Sequence, residues 1–266
     1  QMAMGLLEHM LIDSTTFKPL RLAERWVEGF HRDKRAGYAG GFYKFLLATT
    51  TGKDFLRGIQ PHSNKSGGAM RAFPVGLLTD WEEVRDKAMM QASLTHATFD
   101  GMRAAAAAAL AFHFAYHRVG PKEKLAAWVG SKVGYNFTAE WTGKVGGAGL
   151  DCVHAAIEAY TLGDSLMDVL HKCIAWTGDV DTVAAIAMPI AAVCNETKLD
   201  ISTPLLDGLE NDEYGREYIE ALDQRIAEQY PPKWKVRAEK AAKRAAPAPP
   251  PEDEDMDAFD LLFGEG

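Results

Sequence analysis

Apolar side chains recur with a helical period of about 3.6 residues along most of this chain, and alternating β-branched runs bounded by turn residues are lacking. A chain patterned this way must bury its apolar stripes helix against helix, so an all-α fold of many short helices is expected. The pattern places helices near residues 1–12, 20–31, 39–48, 68–77, 80–94, 99–117, 121–129, 149–160, 165–176, 182–194 and 213–229. Glycine-containing loops such as 143–149 are expected to join them. With 266 residues, 47% of them hydrophobic, the chain can bury a substantial core.

No membrane span is expected. The longest apolar stretch, Ala104 to Ala115, is too short to cross a bilayer and carries His113, while the run Gln1 to Ile12 lacks a basic leader and contains Glu8 and His9. Cys152, Cys173 and Cys194 form no CxxC pair and sit among aliphatic neighbours in expected helices, which reads as reduced packing cysteine in a cytoplasmic protein. A nucleophilic role for Cys152 through His154 is disfavoured, because positions i and i+2 face different sides of a helix.

The formal net charge is -8, but Glu252, Asp253, Glu254, Asp255, Asp257, Asp260 and Glu265 contribute seven of those charges. The body is nearly neutral, and nothing in it argues for attraction to nucleic acid or anionic lipid. Composition shifts beyond Tyr230, first to a basic stretch from Lys233 to Arg244, then to Pro/Ala residues 245–251 and the acidic end. A folded domain over 1–230 is therefore expected, with 231–266 as basic stretch, linker and disordered tail. Residues 252–266 include Met256-Asp257-Ala258-Phe259-Asp260-Leu261-Leu262-Phe263, which alternates acidic and large apolar groups. Such a segment is either a passive tail or a short motif that docks on a partner.

Three polar constellations stand out from the helical background. Gly178-Asp179-Val180-Asp181-Thr182 places two carboxylates and a hydroxyl at the mouth of an apolar run. These side chains either cap a helix or act as hard oxygen ligands for a divalent cation. Ser63-Asn64-Lys65-Ser66-Gly67-Gly68-Ala69-Met70-Arg71 is a small-residue loop entering an apolar segment. It reads either as a flexible turn or as a phosphate cradle, with Arg71 as a phosphate partner or a surface ion-pair partner. Thr95-His96 lies at a helix junction, where a lone histidine is ordinarily structural. His113 and His117, four residues apart with no further ligand at matching positions, are also read as structural, and Ala104 to Ala109 as a site of close helix packing.

Taken in order, these segments resemble the ADP-ribosylglycohydrolase family. Residues 178–187 resemble its G-D-x-D-T-x-A-A-I-A signature, Ser66 to Pro74 its small-G-x-A-M-R-x-x-P loop, and Thr95-His96 before an Ala-rich helix its T-H segment. Residues 32–38 and 209–216 are similar to weaker family stretches. The resemblance implies a compact single-domain ADP-ribosylglycohydrolase-like fold with a binuclear Mg²⁺ or Mn²⁺ centre. In it Asp179, Asp181 and Thr182 would be metal ligands, and Ser63, Asn64, Lys65, Ser66, Gly67, Gly68 and His96 would contact the substrate. The implied reaction is hydrolysis of the ribosyl bond of an ADP-ribosylated protein side chain, arginine above others, releasing ADP-ribose. A catalytically silent ADP-ribose binder, or a structural relative of the lens-crystallin kind, is the alternative.

Two departures from the family pattern matter. The family's Thr-Asp-Asp ligands, catalytic glutamate and glycine-rich first helix would all lie upstream of Gln1, so the chain is expected to be N-terminally incomplete, with half a metal site and weak activity. Lys65-Ser66 also stands where Gly-Asn is usual.

Overall fold

The computed structural model describes residues 1–12 and 17–245, and all its regular structure there is helical. In chain order the α-helices are α1 (Met2–Ile12), α2 (Pro19–Arg32), α3 (Gly40–Ala48), α4 (Gly52–Gly58), α5 (Gly67–Met70), α6 (Trp81–His96) and α7 (Phe99–Tyr116). They continue as α8 (Leu125–Val133), α9 (Gly149–Leu162), α10 (Leu166–Ala175), α11 (Val180–Val193), α12 (Thr203–Asp207), α13 (Arg216–Gln229) and α14 (Lys233–Ala245). Two 3-10 turns, Phe73–Leu77 and Lys122–Lys124, complete the set. None of these helices is long and apolar enough to cross a membrane.

The chain divides into a unit of residues 1–233 and a second unit of residues 234–266. In the second, the basic stretch is helical to Ala245, as its Ala, Lys, Arg and Glu content favours. The Pro/Ala linker from residue 246 and the acidic segment 252–266, with its docking motif, lie outside the described residues.

Helix α7 is the axis of the first unit. Ala104 to Ala109 are all buried, and α5, α6, α8, α9, α11 and the first 3-10 turn pack around it. Small side chains let the neighbouring backbones come close. A Cβ on Gly76 would lie 2.5 Å from Ala109 O and 2.8 Å from His113 N, and one on Gly149 would lie 2.9 Å from Ala104 Cβ. His113 Nδ1 bonds Leu78 O at 2.8 Å, and His117 Nε2 bonds Leu78 O at 3.0 Å while its Nδ1 accepts from Lys233 N. Both histidines thus tie α7 to neighbouring backbone, the structural role expected of them.

Several boundaries differ from the sequence pattern. The single helix expected over 68–77 is broken after Met70, because Pro74 removes an amide donor and restricts Phe73, leaving α5 and a 3-10 turn with Arg71 between them. Helix α6 starts one residue late at Trp81, with Asp80 accepting from the amides of Glu82 and Glu83, and runs two residues further, through His96. Helix α11 starts at Val180 rather than 182. The pattern also misses α4 and α12, which are too short to show periodicity, and α14, expected only as a basic stretch.

Gly76→Ala should cost about 1–3 kcal/mol of stability, since the added methyl meets backbone that cannot move without shifting α7. A lowered urea midpoint at unchanged m-value would register this; a neutral result would contradict the close approach.

Candidate functional site

Three backbone segments from distant parts of the chain are laced together at the ends of α5, α9 and α11. Ser66 N donates to Gly147 O at 3.1 Å and Gly149 N to Asn64 O at 2.9 Å, joining the 63–68 loop to the 143–149 loop. On its other side the 143–149 loop meets 177–179, where Val145 N donates to Thr177 O at 3.1 Å and Asp179 N to Val145 O at 3.2 Å. The approach demands glycine at 178, whose φ is +88°, because any Cβ would strike Val145 O. Thr177 also adopts positive φ, +59°, a costly conformation for a β-branched residue, so the turn into α11 carries backbone strain there.

This lacing sets the Asp179 carboxylate beside the loop. Ser66 Oγ donates to Asp179 Oδ2 at 3.2 Å and lies 3.4 Å from Thr182 Oγ1; Cys152 Sγ donates to Asp179 Oδ2 at 3.5 Å and to Gly146 O at 3.2 Å. Asp179 occupies the N-cap position of α11 yet makes no capping bond with its side chain. Capping by Asp179 therefore does not explain the motif. Neither does capping by Asp181 or Thr182, which lie inside the first turn of α11. Thr182 is buried, Asp179 half-buried and Asp181 exposed. Burial first, and then the Asp179 charge, push the Cys152 thiol up to about 12, so it is a neutral donor and no nucleophile.

The donors here are hard oxygens, the chemistry that Mg²⁺ and Mn²⁺ select. Asp179 has no Lys or Arg partner among the described residues, which leaves its charge for another cation. Asp179, Asp181 and Thr182 together would make up only about half of a six-oxygen shell. Among the described residues no group of three His, Cys, Asp or Glu is gathered to hold a metal. The residues present fit one side of a divalent-cation site.

Within the loop, Ser66 and Gly68 are buried, Ser63 and Gly67 half-buried, and Asn64 and Lys65 exposed. The amides of Gly67 and Gly68 bond to nothing among the described residues. Because α5 has four residues rather than the ten expected, any contribution of a helix dipole here is small, and the free amides are what the loop offers an anion. The His96 ring packs on these glycines; a Cβ on Gly67 would sit 3.4 Å from Nε2 and one on Gly68 3.2 Å from Cγ. Thr98 Oγ1 donates to Ser63 O at 3.0 Å, fastening the start of α7 to the same loop.

Arg71 is not a surface ion-pair residue. It is 4% exposed, with Nε on Gln91 Oε1 at 2.9 Å, Nη2 on Thr95 Oγ1 at 2.6 Å, its guanidinium 4.4 Å from the centroid of the Trp26 ring, and no carboxylate partner among the described residues. Gln91 in turn donates to Gly68 O at 2.9 Å, so α6 braces the loop through two side chains. Burial lowers the Arg71 pKa to about 9, which leaves it charged at neutral pH. Burial, with the Arg71 charge second, pushes His96 down to about 4.

His96, Arg71, Gly67 and Met70 form one wall of a cavity of about 630 Å³, within the range of small-molecule sites. The opposite walls come from residues 1–4, 33–42 and 209–219. Arg35, in this lining, bonds Asp33, Glu210 Oε2 at 2.6 Å and Asp212 Oδ2 at 2.9 Å. Stretches 32–38 and 209–216, weak in sequence, are thus brought together as cavity wall. Sequence reasoning did not find the Arg35 bridge or the Cys152 contact, since their partners lie 175, 177 and 27 residues away.

A model of the ADP-ribosylglycohydrolase family matches residues 1–235. The chain belongs to the ADP-ribosylglycohydrolase family, a family of hydrolases. A solved structure of an ADP-ribosylglycohydrolase-related protein complex shares the fold, with a TM-score of 0.65 at 22% identity, covering 86% of this chain and 80% of that one. No curated protein matches the chain in sequence.

A histidine pushed below its ordinary value resists protonation only while the protein is folded. Below about pH 6.5 the unfolded chain takes up a proton that folded His96 refuses, so stability falls with pH until about 4. The His96→Gln variant should show a melting temperature less dependent on pH by about one proton across this window. Parallel curves for the two proteins would contradict the burial argument.

Proposed function

We propose that the protein is a metal-dependent hydrolase that cleaves the ribosyl bond of ADP-ribosylated protein side chains, arginine favoured, and releases ADP-ribose. The observation that carries this reading is the contact of Ser66 Oγ with both Asp179 Oδ2 and Thr182 Oγ1, beside a glycine loop with free amides, in a member of this family. Asp179, Asp181 and Thr182 would hold Mg²⁺ or Mn²⁺ as one side of a binuclear centre. A bound metal would orient the ribose hydroxyls and lower the pKa of a water.

The chain's own residues divide the remaining work. Ser63 to Gly68 would hold the diphosphate through the Gly67 and Gly68 amides, with His96 along the same ligand. Binding energy gained there, away from the reacting carbon, is available to orient that carbon as positive charge grows on the ribose. The Asp179 carboxylate, steadied through Oδ2 by Ser66 and Cys152, keeps Oδ1 for the cation. The three free, buried cysteines support a reducing, cytoplasmic setting.

The test is release of ADP-ribose from arginine-, serine- and nucleic-acid-linked substrates by the full-length protein with Mg²⁺ or Mn²⁺. Turnover is expected on ADP-ribosylated arginine, with Asp181→Ala reducing kcat by about two orders of magnitude or more at unchanged melting temperature. ADP-ribose binding without turnover on any substrate would replace the hydrolase with a binder, and absence of both would leave a structural protein.

A further inference from the structure

The proton inventory around Thr95 settles more than its position. Thr95 Oγ1 is buried, 2.6 Å from Arg71 Nη2 and 2.6 Å from His96 Nδ1. A guanidinium carries donors only, so Thr95 accepts from Arg71. The hydroxyl owns one proton, and among the described residues His96 Nδ1 is the acceptor it can reach. If Nδ1 carried its own proton, Thr95 would accept twice and strand its hydroxyl proton in the interior, at a cost comparable to a lost buried hydrogen bond. With Nδ1 bare, each group at this junction is satisfied.

We infer that Arg71 and Thr95 together hold His96 as the neutral Nε2–H tautomer, so that it meets a ligand in the cavity as a hydrogen-bond donor and not as a base. Burial and the nearby guanidinium charge both oppose an imidazolium here, in agreement with this assignment. Arg71 and Thr95 are positioning residues: neither needs to touch the ligand to set which proton His96 presents.

The geometry makes the consequence local. His96 Nε2 bonds to no group among the described residues, and it sits against Gly67, whose amide is also free. The Nε2–H and the glycine amides form a set of neutral donors suited to an anionic oxygen, the diphosphate on the reading proposed above. That choice of ligand rests on the proposed function, whereas the tautomer does not. Cation–π contact with Trp26 and the bonds to Gln91 fix the Arg71 fork, so the relay is set before any ligand arrives.

The experiment is ¹⁵N NMR of the imidazole nitrogens in ligand-free, histidine-labelled full-length protein at pH 7.5, with the His96 signals assigned from their loss in His96→Gln. Nδ1 is expected to be unprotonated and Nε2 protonated. Thr95→Val should give a mixture of tautomers and roughly tenfold weaker ADP-ribose binding, as expected for one buried hydrogen bond, and Thr95→Ser should restore both. A wild-type spectrum showing Nδ1–H or imidazolium would overturn the inference, as would a pure Nε2–H form in a folded Thr95→Val. Should Thr95→Val fail to fold, the wild-type spectrum alone decides. Failure of ADP-ribose to bind the wild-type protein would count against the proposed function and leave the tautomer result standing.

Discussion

The hydrogen bonds that lace residues 63–66, 145–149 and 177–179 are the constraint on which the candidate site depends. Each segment alone is an irregular loop with unpaired amides and carbonyls, which a folded protein cannot leave unsatisfied away from water. By satisfying one another they fix where α5, α9 and α11 begin. Asp179 then falls beside Ser66, though 113 residues separate them in the chain. The strained Thr177 is held by this same set of bonds.

A second support stands behind the first. The buried alanines of α7 let α5, α9 and α11 approach a common axis, so the three laced loops emerge at one end of the bundle. From α6, Gln91 braces the glycine loop at Gly68 O, and Gln91 with Thr95 holds Arg71 beside the His96 ring. Burying a guanidinium without a carboxylate is costly, and here its donors are met by an amide oxygen, a hydroxyl and an aromatic face. Stability is traded for a fixed orientation of the groups beside the cavity.

Much of this was legible in the residues and some was not. Helical period located the long helices because burial of one face leaves a regular trace, and ordered motifs pointed to residues 63–71, 95–96 and 178–182. The same local view left Arg71 open between a phosphate partner and a surface ion-pair partner, and only the fold, which closes Trp26 and Thr95 around it, removes the second. It overextended the helix at 68–77 because apolar periodicity outweighed Pro74. It treated Cys152 as packing alone, since the contact with Asp179 exists only after α9 and α11 are side by side. The cavity was out of reach for the same reason, its walls being drawn from five separated parts of the chain.

On the function proposed here, the oxygens of Asp179, Asp181 and Thr182 would form one side of a divalent-cation site. Paramagnetic broadening by Mn²⁺ in ¹⁵N-edited spectra of the full-length protein tests it most directly, because broadening falls steeply with distance from the ion. Sub-stoichiometric Mn²⁺ is expected to erase amide signals around residues 64–67, 146–149 and 178–183 first, and Asp179→Asn to abolish this. Broadening centred on the acidic residues 252–260, or an Asp179→Asn protein that broadens like the wild type, would contradict it.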